Sequence, residues 1–82
     1  MDLVALTEKL VKSIVLDSDA VSVKEFTAEK ENEVLIQVMV SEADIGRVIG
    51  KQGRTANAIR TLVQASSALK DNKYIRIDID KF

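Results

Sequence analysis

No cysteine and no histidine occur among the 82 residues. Without thiols the chain can form neither a disulfide nor a thiolate metal centre. Without imidazoles it lacks a common zinc ligand and the commonest general base. Carboxylates, lysines and hydroxyls remain, and they assemble into no recognisable catalytic set, so an enzyme is disfavoured and no catalytic, metal or cofactor site is expected. Proline is absent and glycine occurs three times, which leaves no Pro- or Gly-rich linker to divide the chain. Charges interrupt every hydrophobic stretch, so none approaches the ~20 apolar residues of a membrane span. The N-terminus carries Asp2, Glu8 and Lys9 in place of a signal peptide's cationic start and apolar centre. The expectation is a soluble, cytoplasmic protein, which the missing cysteines permit.

What is present reads as one globular domain, residues 1–82: 46% of residues are apolar, 30% are charged, and the net charge is −1. A domain this small buries only about 60% of the surface its unfolded chain exposes. Its core will be thin, and docking on a second copy would help it.

Leu3, Leu6, Leu10 and Ile14 recur at helical steps with Val11 and Val15 beside them, which predicts an amphipathic helix capped by Asp2 and stopped by Asp17-Ser18-Asp19. From Ala20 to Ala28, Val21 and Val23 alternate with Ser22 and Lys24 before Phe26 falls out of phase, a strand with an irregularity. Val34, Ile36, Val38 and Val40 line one face of a second strand and Leu35 and Met39 the other, so this strand is central. The short polar link Glu29-Lys30-Glu31-Asn32 makes the two an antiparallel hairpin. Ser41-Glu42-Ala43-Asp44 resembles a capping box and opens a short helix. A longer helix follows Gly53, with Ile59, Leu62, Val63, Ser66 and Leu69 on one face and Lys70-Asp71-Asn72 at its end. Tyr74 to Asp80 alternates Ile75, Ile77 and Ile79 with polar residues, a half-buried strand whose Asp78 and Asp80 face solvent. Helix, strand, strand, helix, helix, strand describes an α+β domain: a three-stranded sheet with helices on one face.

Local charge is more telling than net charge. Between Ile45 and Lys70 stand five bases (Arg47, Lys51, Arg54, Arg60, Lys70) and no acid, while the rest of the chain holds seven bases and thirteen acids. A +5 segment on a −6 body predicts a localised anion-binding surface. Gly50 and Gly53 sit within it, three residues apart at the entrance of the longer helix. Glycines there allow backbone conformations closed to other residues and a close approach by a ligand. The first amides of the helix face outward unpaired, and its dipole favours an anion that Lys51 and Arg54 would also attract.

The run Ile45-Gly46-Arg47-Val48-Ile49-Gly50-Lys51-Gln52-Gly53-Arg54-Thr55-Ala56-Asn57-Ala58-Ile59 resembles the KH signature, and the element order resembles the type II KH fold. In length and in these motifs the chain is similar to the small stand-alone bacterial KhpA family of RNA-binding proteins, differing in having no proline after the first helix. The resemblance implies that the Gly50-to-Gly53 turn clamps the backbone of about four nucleotides of single-stranded RNA. Bases would lie in an apolar groove for which Ile45, Val48, Ile49 and Ile59 are candidates, with Arg47, Lys51, Gln52 and Arg54 contacting the strand. It also implies a homodimer, pairing with a larger KH-containing protein of the KhpB type, and an RNA-chaperone role linked to cell elongation and envelope growth. Val48, Ile49 and Ile59 could equally be core, Arg60 and Lys70 plain surface charges, and Tyr74 a half-buried strand residue. Gly46-x-x-x-Gly50-Lys51 is one residue short of a P-loop, and Gln52 replaces its Ser or Thr. The competing reading is a KH-fold protein-interaction adaptor that does not meet nucleic acid.

Overall fold

In the computed structural model, which describes residues 2–70 and 72–82, the Asp2 carboxylate caps helix α1 (Leu3–Lys12) by accepting the Val4 amide at 2.9 Å. Thr7 and Val11 are buried on its inner side, and the Thr7 hydroxyl is satisfied by donating to the Leu3 carbonyl at 2.7 Å. The helix stops short of the expected Asp17-Ser18-Asp19. Its C-cap is Ser13, whose hydroxyl donates to the Leu10 carbonyl at 2.6 Å, the local competition that ends helices at serine. The acidic cluster leads into a single 3-10 turn, Ser18–Ala20.

Strands β1 (Ser22–Thr27) and β2 (Glu33–Val40) form the expected antiparallel hairpin. The register runs unbroken from Ser22 opposite Met39 to Thr27 opposite Val34, so the expected irregularity at Phe26 is absent. Simple alternation accounts for it: Ser22, Lys24 and Phe26 share the open face, and Phe26 stands against Leu35 there. Strand β3 (Tyr74–Lys81) pairs with β2 in parallel, Glu33 with Tyr74 through Val40 with Lys81, which places β2 in the centre of a sheet ordered β1-β2-β3. Parallel neighbours need a crossover. Here α2 (Ile45–Ile49), a 3-10 turn (Lys51–Gly53) and α3 (Arg54–Lys70) supply it.

The core is the layer between sheet and helices: Ile36, Val38, Val40, Ile75 and Ile77 below, Val11, Val48, Ile59 and Val63 above. The buried face of α3 is Ala56, Ile59, Val63 and Ser67. The expected partners Leu62 and Leu69 are instead 54% and 91% exposed, and Ser66 is only half-buried. Ser67 tolerates burial because its hydroxyl donates to the Lys73 carbonyl at 2.8 Å and accepts the Lys73 amide at 3.2 Å. Beyond α3, Asn72 takes a left-handed conformation (φ 53) and donates its amide to Ser67 at 2.7 Å, a common way for a helix to stop. Asp71, part of the expected stop, lies outside the described residues.

Side chains of α3 also cover the outer edge of β3. Gln64 accepts the Ile75 amide at 2.8 Å and donates to the Lys73 carbonyl at 2.9 Å, while Arg60 Nε donates to the Ile77 carbonyl at 3.3 Å. The opposite edge of the sheet is β1, exposed from Lys24 to Thr27. Among the described residues no helix is long and apolar enough to cross a membrane.

Candidate nucleic-acid interface

The basic segment begins at a buried acid. Asp44, 1% exposed, precedes α2, but no side-chain cap bond forms and the expected capping box does not close. Its carboxylate turns away instead, accepting the Leu16 amide on Oδ1 and the Asp17 amide on Oδ2, each at 3.0 Å, and the Ser41 hydroxyl at 3.0 Å. Arg47 Nε lies 3.4 Å from Oδ1. The Leu16 amide, followed by the Asp17 amide, holds the Asp44 carboxyl below its ordinary value; burial opposes this, and Ser41 and Arg47 add to it. One carboxylate thus joins the link after α1 to the start of α2 and keeps Arg47 at the surface.

The turn between α2 and α3 is built on left-handed backbone. Gly50 has φ 76 and Gly53 φ 77, and Gln52 between them has φ 58. At Gly50 the demand for glycine is doubled, because a Cβ there would fall 2.7 Å from Thr55 Cβ and 2.9 Å from the Thr55 amide nitrogen, inside van der Waals contact. At Gly53 the space is open, with Asn57 Nδ2 3.9 Å away, and only the backbone angle requires glycine. The Gly53 and Arg54 amides are taken by the Gly50 and Lys51 carbonyls. The expectation that the first amides of α3 are unpaired is therefore corrected by one turn. The Lys51 and Gln52 amides precede any acceptor of the turn.

Lys51, Gln52 and Arg54 are exposed, and Arg54 Nη2 donates to Gln52 Oε1 at 3.3 Å, so the tip presents two cations and an amide side by side. Arg47 is exposed one turn earlier, in α2. The four apolar candidates divide. Val48 and Ile59 are 0% and 5% exposed and belong to the core, whereas Ile45 is half-buried against that core and Ile49 is 39% exposed. Asn57 was not anticipated: it lies beside Gly53, and its Oδ1 accepts Arg60 Nη1 at 3.2 Å. Its four-residue step from Gly53 was the available signal. Asp78 and Asp80 are exposed on β3, as expected.

The profile of the family described as KhpA/KhpB, KH domain matches residues 4–79. The chain belongs to this family. Two KhpA/KhpB relatives illustrate the likeness. The RNA-binding protein KhpA of Clostridium acetobutylicum is 43% identical over 74 residues, covering 90% of this chain and 95% of the relative. That of Borreliella burgdorferi is 38% identical over 76 residues, covering 93% and 89%. Among solved structures, Era of Aquifex aeolicus bound to GDP and AlF4− aligns over 100% of this chain with a TM-score of 0.65 at 16% identity. Era in complex with MgGDPNP and nucleotides 1506–1542 of 16S ribosomal RNA aligns over 99% with a TM-score of 0.61 at 15% identity. The chain spans about a third of either Era chain, 32% and 31%, and at these identities the likeness concerns the fold alone. The α+β, KH-type architecture expected from the sequence is the one adopted, and KhpA/KhpB is a non-catalytic family.

Proposed function

We propose that this chain binds single-stranded RNA without catalysis, gripping the sugar-phosphate backbone of about four nucleotides with the Gly50-Lys51-Gln52-Gly53 turn. One observation carries the reading: three of the four turn residues, Gly50, Gln52 and Gly53, have left-handed backbone, and the turn presents exposed Lys51 and Gln52 at the head of the 17-residue helix α3. A phosphate there meets loop amides, the positive end of the helix dipole, and the charges of Lys51 and Arg54. Arg47 lies on the approach from α2, and Ile45 and Ile49 offer apolar surface to bases over a floor of Val48 and Ile59. The names of the relatives supply the choice of RNA as the anion.

The test replaces Lys51 and Gln52 together by Asp. Both are exposed, so the fold should persist, while affinity for a single-stranded oligonucleotide should fall about tenfold or more by gel shift. The wild-type salt dependence should be shallow, with a slope of about −0.7 for each phosphate engaged. A folded double variant that still retains RNA refutes the turn mechanism. A wild-type chain that binds no RNA would instead be a protein adaptor.

Family resemblance supports two finer parts of the proposal: self-association or pairing with a larger KhpB-type protein, and an RNA-chaperone role in cell elongation and envelope growth. Exposed Leu62 and Leu69 on α3 give such pairing an apolar surface away from the turn.

A further inference from the structure

Among the described residues no helix covers the second face of the sheet, which carries the side chains that alternate with the core. The strand registers set these side chains in rows across β1, β2 and β3, one row being Phe26, Leu35 and Arg76 and the next Lys24, Gln37 and Asp78. Leu35 and Met39 on β2 are half-buried and Phe26 is 44% exposed, so apolar groups stand at the middle of an otherwise charged face. The charges are divided across it. Lys24, on β1, has no ion-pair partner among the described residues. Asp78, on β3, has only Arg76 Nε at 3.6 Å, and both of these side chains are more than half exposed. At the hairpin end the face is hollowed by a depression of about 440 Å³, with Ala28, Lys30, Glu33, Leu35 and Arg76 in its lining.

We infer that this face is a contact between two copies of the chain, packed sheet on sheet about a twofold axis parallel to β2. Such an axis lays β1 of each copy over β3 of the other. Leu35 and Met39 then meet their own counterparts on the axis, Lys24 faces Asp78 of the second copy, and Phe26 offers its ring to Arg76 of the second copy, the last two pairs each occurring twice. Charge selects the occupant and its orientation together. A twofold axis across the strands through Gln37 would instead set Lys24 against Lys24 and Asp78 against Asp78. The parallel axis also keeps the two sheets aligned, as in β-sandwiches, where twist offsets them by about 30°. One like-charge meeting remains, Glu33 on Glu33 at the hairpin end, where Lys30 lines the same depression. Strands of six to eight residues give the face roughly 300 Å² in projection, below the ~800 Å² that each partner buries in a standard interface. The dimer is therefore weak, with a Kd on the order of 100 μM. The helices pack on the opposite face, so the contact leaves the glycine turn and the exposed leucines of α3 open. The inference rests on the self-association proposed above and is independent of what the turn binds.

Sedimentation equilibrium without RNA, at protein concentrations up to about 1 mM, should show monomer and dimer in exchange, and dilution should shift the amide resonances of Lys24, Gln37 and Arg76. Lys24→Glu alone and Asp78→Lys alone should each weaken pairing about tenfold or more, because each sets two like-charged pairs face to face. Both positions are exposed, so each variant should keep the circular dichroism spectrum of the wild type. Mixing the two variants should restore pairing. The introduced carboxylate of one then meets the introduced ammonium of the other, while the native Asp78 of the first meets the native Lys24 of the second. Glu33→Gln, which removes the like-charge meeting on the axis, should tighten the wild-type dimer. A mixture that pairs no better than either variant alone overturns the arrangement. A dimer lost in Leu62→Lys and unmoved by Lys24→Glu places the contact on α3, so the sheet contact fails while self-association stands. A wild-type chain that stays monomeric throughout the concentration range overturns both.

Discussion

Asp44→Ala is expected to lower the melting temperature by about 10 °C or more, measured by circular dichroism or calorimetry. The carboxylate is enclosed, and its removal strands the Leu16 and Asp17 amides, the Ser41 hydroxyl and one side of Arg47. A buried donor left without an acceptor costs far more than a lost surface contact, because water cannot replace the missing partner. Asp44→Asn keeps one carbonyl acceptor and should lose less, which separates the two-amide clamp from mere volume. The same group gives acid sensitivity a defined sign. Its folded-state affinity for a proton is lowered, chiefly by the Leu16 amide. The unfolded chain therefore binds the proton more readily. The stability contributed by the carboxylate is complete above its unfolded value near 3.8 and drains as pH falls through the lower folded value. Between pH 7 and pH 5 this site should contribute no slope, and below about pH 4 the wild type should lose stability more steeply than Asp44→Asn. Parallel curves for the two proteins across that acid range would refute the assignment.

Gly50→Ala is the second large effect, with an expected loss of about 2 kcal/mol or more in urea unfolding. Two independent penalties meet there. The backbone angle of +76° disfavours any side chain, and a methyl group would collide with Thr55, including its backbone nitrogen, at the first turn of α3. Relief requires moving the helix start, so a variant that does fold should present Lys51 and Gln52 in altered geometry and bind RNA poorly. Gly46→Ala is the matched control. It lies inside α2 with nothing within 4 Å of an added Cβ, and should be neutral or stabilising by up to about 1 kcal/mol. Equal losses at both positions would show that the strained turn is not the cause.

The outline of the fold was legible because the sheet buries one face. Ile75, Ile77 and Ile79 alternate with polar residues, and β2 carries apolar side chains on both faces, as a central strand flanked on both sides allows. Periodicity does not encode which strands pair in parallel, and that came only from the structure. The buried stripe of α3 was misjudged because two stripes overlap on that helix. Leucines 62 and 69 are larger, yet Ala56 and Ser67 point inward, where α3 approaches its neighbours closely and small side chains fit. Asp44 illustrates the other limit. Its spacing from Ser41 suggested a local cap, but its main partners lie 27 and 28 residues earlier, beyond any window of local pattern. In the candidate interface the glycine pair and its flanking bases were readable as a backbone requirement inside an acid-free run. Which apolar residues reach the surface was not, since Val48 and Ile49 are neighbours on a five-residue helix and only the packing decides which is enclosed.

The two margins of the sheet are protected by different means. On the β3 side, Gln64, Arg60 and Ser67 already occupy main-chain groups that another strand would need. On the β1 side no side chain among the described residues hydrogen-bonds to the edge backbone, but two copies meeting antiparallel in either register of greatest overlap would set Glu25 against Glu25 or Lys24 against Lys24, an unfavourable facing of like charges. A molecule with so thin a core can therefore accumulate in solution without its ribbon of strands lengthening from copy to copy into a fibre.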